Sequence, residues 1–129
     1  MIHHVSLGTN DLGRAKAFYD AVFALLGLRL LSHDDKSLDY GVGEVLFSLE
    51  IPVDGEKATV GNGVHVAFTA RDPDMVDKFY RVALENGGTE DGPPGLRPEY
   101  NAHYYGAFVR DPDGNKIEAV THSARRETS

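Results

Sequence analysis

His4-Val5-Ser6-Leu7-Gly8, followed by Phe18-Tyr19 and closed by Gly27, is written a second time. The second copy is His65-Val66-Ala67-Phe68-Thr69, followed by Phe79-Tyr80 and closed by Gly88. The spacing is constant at 61 residues (65 − 4), and it also pairs Asp11 with Asp72. Each copy opens on a short alternating run that reads as a strand. An acidic cap follows, and then an apolar stripe at helical spacing: Ala15, Phe18, Tyr19, Val22, Leu25 and Leu26, then Val76, Phe79, Tyr80 and Ala83. Asp72-Pro73 puts proline at the first helical position. Gly27 and Gly87-Gly88 stand where helix ends take a left-handed residue. Strand-like runs follow near residues 28–33, 38–43 and 44–51, and again near 89–91, 104–110 and 115–121. The sequence therefore predicts an α+β fold of two βαβββ modules, 1–55 and 61–122. Residues 52–62 read as the linker and 123–129 as a frayed polar tail.

At 129 residues the chain makes one domain, so the repeat divides a single core into two modules. A net charge of −7 argues against a nucleic-acid partner, because phosphate-backbone binding draws on clustered Lys and Arg. With no cysteine, disulfides, thiolate metal sites and cysteine nucleophiles are excluded. No apolar run approaches the length that crosses a bilayer, and the N-terminus enters a strand without a leader-like segment. The expected setting is cytoplasmic, with no membrane partner.

His4 and His65 open strands whose alternate positions are polar or small, Ser6 and Gly8 in one, Ala67 and Thr69 in the other. The bulky residues fall on the opposite faces, where the helices belong. Each module also holds a glutamate downstream, Glu50 and Glu118. Imidazole and carboxylate are the ligands of a divalent first-row cation when thiolate is absent. Two such pairs related by a repeat predict a metal site of His4, His65, Glu50 and Glu118 on a pseudo-two-fold axis. His4 to Glu50 spans 46 residues (50 − 4), His65 to Glu118 spans 53 (118 − 65). The extra length is expected in a Gly92–Asn101 loop, a candidate lid carrying Arg97 and leading to His103 and Tyr105. His3, His33 and His122 have no counterpart in the repeat and read as surface residues. Asp111-Pro112-Asp113-Gly114-Asn115 reads as a turn.

The first strand and its Phe18-Tyr19 helix, the run Gly63-Val64-His65-Val66-Ala67-Phe68 and the run Asp111-Pro112-Asp113-Gly114-Asn115-Lys116-Ile117-Glu118 resemble the vicinal oxygen chelate superfamily. That group holds glyoxalase I, fosfomycin-resistance thiol transferases, bleomycin-resistance proteins and extradiol dioxygenases. The resemblance covers residues 1–122 and implies that the two modules form a curved mixed sheet with the helices on its outer face, in a homodimer that binds a small-molecule substrate. It implies a divalent cation (Zn, Ni, Mn or Fe) on His4, His65 and Glu118, with Glu50 similar to the further glutamate of glyoxalase I. The implied chemistry is chelation of adjacent substrate oxygens in a lyase or isomerase reaction, with Glu118 or Glu50 as general base. The alternatives it carries are a metal-free binding protein of the bleomycin-resistance kind and an extradiol dioxygenase, for which His103 or Tyr105 would be the added group. The fosfomycin branch needs a cationic pocket, and Arg97 and Arg110 are available for it. Glyoxalase I commonly has Arg four residues after its first ligand and Asn four after its glutamate; here those positions hold Gly8 and Asp54.

Overall fold

Asp11 and Asp72 start the two helices as the sequence implies. Their carboxylates accept from Arg14 N and Met75 N, three residues on, satisfying amides that a first helical turn leaves free. Gly27 ends the first helix at φ 90°, a conformation that L side chains rarely adopt. The structure, a computed structural model, describes residues 1–123. The expected frayed tail lies, from residue 124, outside them.

The chain runs β1 (Val5–Gly8), α1 (Leu12–Leu26), β2 (Arg29–His33), β3 (Ser37–Val42) and β4 (Glu44–Glu50). It continues with β5 (His65–Thr69), α2 (Pro73–Glu85), β6 (Thr89–Leu96), β7 (Tyr105–Arg110) and β8 (Lys116–Thr121). Two βαβββ modules are therefore present. Each module contributes one four-stranded mixed sheet, ordered β1-β4-β3-β2 and β5-β8-β7-β6. In each, the first strand runs parallel to the last and the others are antiparallel. β1 and β5 are hence edge strands, paired on one side only.

The Gly92–Leu96 stretch, expected as loop, belongs to β6. Two prolines are tolerated there because β6 is an edge strand, where missing N–H donors cost no ladder bond. The register slips between Glu90 and Gly92 and again between Gly92 and Gly95, so the strand carries the prolines as bulged positions.

The modules share one core. Tyr19, Phe23, Tyr40 and Phe47 are buried between α1 and the first sheet. Phe68 of β5 reaches across to Phe23 and Phe47, with ring centroids 5.1 and 5.4 Å apart, and α1 packs on α2. The Asp111–Asn115 turn is more than a turn. Asp111, 3% exposed, accepts from the Tyr19 hydroxyl at 2.7 Å and from Asn115 Nδ2 at 2.9 Å. Asp113 accepts from Thr9 Oγ1, Asn10 N and Arg14 Nη2, and Asn115 Nδ2 donates to the Gly8 carbonyl. Burial, and then the Asp111 charge, raise the Tyr19 phenol well above its ordinary range, keeping it a donor. The second module is bolted to β1 and α1 of the first by this turn.

Candidate metal and ligand site

Strand alternation sets the second sheet's two faces. Val66, Phe68, Ile117 and Ala119 pack into the core, which turns His65, Ala67, Lys116 and Glu118 to the face away from the helices. Glu118 is nonetheless wholly buried. Its Oε1 meets His65 Nε2 at 3.1 Å, and its Oε2 accepts from the Tyr104 hydroxyl at 2.5 Å. A buried carboxylate has to be bonded or neutralised, and these contacts do so. Burial raises the Tyr104 phenol above its ordinary range, and the bond to Glu118 raises it further, so Tyr104 is a fixed donor. Room for the carboxylate comes from Gly106, where a Cβ would sit 2.9 Å from Glu118 Oε2.

The other expected residues are distributed around this pair. His4 precedes β1, its Nδ1 2.9 Å from His3 Nδ1. Glu50 is exposed and accepts from Ser6 Oγ at 3.1 Å; it borders a cavity of about 330 Å³ with Lys36, Ser37 and Ile51. Among the described residues no group of three or more His, Cys, Asp or Glu is assembled that could hold a metal ion. His65 and Glu118 are brought together, while His4 and Glu50 do not join them.

The strand register revises the expected symmetry. β1 pairs with β4 at an offset of 42 (Val5 with Phe47), and β5 with β8 at an offset of 51 (His65 with Lys116). Glu118 lies opposite Ala67, and the repeat relates Ala67 to Ser6, whose partner is Ser48. Ser48, not Glu50, is therefore the counterpart of Glu118; Glu50 corresponds to Val120. Ser48 is buried and donates to Asp39 Oδ1 at 2.8 Å. The sequence spans of 46 and 53 concealed this, because the extra residues sit in two places: before β7 and in the β7–β8 turn.

Arg97 stays by the site, with its Cζ 5.5 Å from the Phe108 ring centre and its Nη2 donating to the Pro93 carbonyl. His103 is held in the 97–104 turn, where its N donates to Asn101 Oδ1. Tyr105 is turned away: its ring packs on the core and its hydroxyl donates to Asp77 Oδ1 of α2 at 2.7 Å. Burial and that bond push its phenol up to about 12. The tyrosine at Glu118 is its neighbour Tyr104. Strand alternation could have flagged this, since Tyr105 shares parity with Ala107 and Val109, both core residues. Phe108, its ring centre 5.9 Å from that of His65, and Lys116 were also missed.

A family model described as the Glyoxalase/Bleomycin resistance protein/Dioxygenase superfamily matches residues 1–119. The chain is 39% identical to a glyoxalase/bleomycin resistance protein from Albidiferax ferrireducens T118, over 91% of this chain and 94% of that one, with a TM-score of 0.83. Lactoylglutathione lyase from Agrobacterium tumefaciens shares the fold at 24% identity, covering 93% and 92% of the two chains with a TM-score of 0.67. Fosfomycin resistance protein FosX from Mesorhizobium loti shares it at 18% identity, covering 100% and 98%, with a TM-score of 0.70. No curated protein matches.

Proposed function

Since the chain belongs to the glyoxalase/bleomycin resistance protein/dioxygenase superfamily, we propose that it is a metal-dependent enzyme acting on a small molecule with two adjacent oxygens, of lyase or isomerase type. The observation that carries this is the buried Glu118 carboxylate in contact with His65 Nε2. A carboxylate and an imidazole on rigid neighbouring strands are a fitting donor set for a divalent cation such as Zn, Ni, Mn or Fe. When bound, the cation supplies Lewis-acid polarisation of the substrate oxygens.

The chain's own residues divide the remaining work. Glu118 and His65 hold the cation, and Tyr104 fixes the carboxylate by donating to its second oxygen. Hydrogen-bonding partners of this kind orient ligands and tune their basicity. Glu50, exposed and bonded by Ser6 Oγ, is the residue we assign as general base. The register speaks against Glu50 as a ligand, because the symmetric position is Ser48. Gly8 carries no glutathione-binding arginine, and the linker lies against it: a Cβ there would sit 3.0 Å from that of Ala58. The substrate is accordingly not held as in glyoxalase I.

His4 completes the set from a second copy of the chain. Edge strands of this kind, open along β1 and β5, are surfaces that proteins cover by pairing, and a homodimer can lay the β1 edge of one protomer beside the β5 edge of the other. Mixing His4→Ala with Glu118→Gln tests this. Random heterodimers would then restore roughly a quarter of the sites, whereas a site confined to one chain restores none. The primary measurement is metal per chain by elemental mass spectrometry after exposure to Zn, Ni, Mn and Fe(II). Near-stoichiometric uptake that disappears in His65→Ala is expected. A metal content near zero under every condition would overturn the enzyme reading in favour of a metal-free binding protein.

A further inference from the structure

Phe108 lies opposite Glu118 in the β7–β8 pair and collects cations. Lys116 Nζ is 4.9 Å from its ring centre and Arg97 Cζ is 5.5 Å away, both within cation–π range. Arg110 faces Lys116 directly across the same strand pair, an arrangement of like charges that costs stability unless something compensates it. Asp91 compensates in part, with Oδ2 2.9 Å from Arg110 Nε and 3.6 Å from Lys116 Nζ. Arg97 has no ion-pair partner among the described residues; its Nη2 donates to a neutral carbonyl, Pro93 O, at 2.6 Å. Its guanidinium also lies over bare backbone. A Cβ at Gly92 would come within 3.4 Å of Arg97 Nη2, and one at Gly95 within 3.3 Å of Nη1. Two cations thus lie over one ring and a third, Arg110, faces one of them, in a chain whose net charge is −7, with Asp91 the carboxylate paired to Arg110 and Lys116.

We infer that Arg97 and Lys116, posed on Phe108, form an anion subsite that binds a carboxylate or phosphonate group of the substrate. The planar guanidinium offers paired N–H donors to such an oxyanion and the ammonium a point charge. His65 and Phe108 are ring neighbours, so the subsite and the His65–Glu118 pair flank the same space. One small molecule therefore carries both the anion and the adjacent oxygens. Calling the anion part of the substrate rests on the reading above; the subsite itself needs no metal.

The test uses metal-stripped, dialysed full-length protein at low salt, titrated with methylphosphonate and separately with acetate, and followed by amide NMR shifts at Gly92, Gly95 and Phe108. Saturable shifts are expected with at least one probe. Losing one charge-assisted contact in Arg97→Gln or in Lys116→Gln should weaken binding about tenfold, while Arg29→Gln, which removes an exposed cation from β2 of the other sheet, should leave it unchanged. The tighter probe tells phosphonate from carboxylate. Absence of saturable shifts with both probes, unchanged constants in both cation variants, or an equal loss in Arg29→Gln would overturn the subsite. Metal content is measured on the same variants. A wild type that takes up no metal fails the catalytic reading alone, and normal metal with unaltered anion binding in Arg97→Gln fails the subsite alone.

Discussion

The two sheets share strand order, parallel seam and helix placement, yet the row of residues across the middle of each is chemically different. In the second sheet it reads Ala67, Glu118, Phe108, Gly92; in the first it reads Ser6, Ser48, Asp39, Ser32. The second row places one buried carboxylate beside a histidine and an aromatic platform. The first is a chain of small hydroxyls, with Ser48 and Ser32 both donating to Asp39 at 2.8 and 2.7 Å. The helix-facing halves of the repeat stayed alike because both must fill one core, where volume and polarity are tightly constrained. The halves turned away from the helices lie outside that shared core and differ. A repeat in sequence thus reports packing symmetry well and chemical symmetry poorly.

The comparison can be broken most forcefully at the turns. The β7–β8 turn is anchored by Asp111, whereas its counterpart between β3 and β4 is the single residue Gly43 at φ 79°. Asp111→Ala strips acceptors from the buried Tyr19 and Asn115 and should lower unfolding stability by about 3 kcal/mol. Gly43→Ala should cost only about 1–2 kcal/mol, the strain of a left-handed alanine. Denaturant midpoints measure both, and equal losses would mean that the turn does not bolt the modules together.

The next test sharpens the comparison at the central row. Glu118→Gln should reduce metal affinity by at least the 10–100-fold that losing even a ligand's hydrogen-bonding partner costs. Ser48→Ala should leave it near wild type, and Glu50→Gln should lower turnover while metal is retained. If Ser48→Ala and Glu118→Gln emptied the protein equally, the two rows would be equivalent after all.

A smaller effect separates the adjacent tyrosines. Tyr104→Phe removes the donor to Glu118 and should weaken metal binding about tenfold, while Tyr105→Phe, on the helix side, should leave it unchanged. Tyr105 should instead show in alkaline stability. Its phenol is raised from 10.0 to about 12, so its contribution is complete below about pH 10. That contribution is lost as pH rises through about 12, because the unfolded chain ionises first. Tyr105→Phe should make the decline in denaturant midpoint between pH 10 and 12 shallower; an unaltered slope would place the phenol in water.

Much of the architecture was legible in one dimension. Helix caps at Asp11 and Asp72, the left-handed Gly27 and the apolar stripes are local rules. They need no knowledge of what the helices touch, and they located both helices. The start of β6, near 89–91, was legible; its Gly92–Leu96 half was not, because Pro93 and Pro94 exclude a strand only where a neighbour demands their N–H groups, and being on an edge is a property of the sheet. His65 and Glu118 could be named as candidates from the repeat and the residue types. Glu50 was drawn in by the same repeat, since counting along the chain cannot see strand register.

By itself, then, the sequence determined the modules, the helix faces and the residue types offered to a cation, because each follows from periodicity and side-chain chemistry within a few turns of chain. Tertiary structure alone decided that Ser48 rather than Glu50 mirrors Glu118, that Tyr104 rather than Tyr105 holds its carboxylate, and that Arg97 and Lys116 meet over Phe108. Each depends on how strands far apart in sequence are paired. A shift of one residue in that pairing moves every side chain to the opposite face.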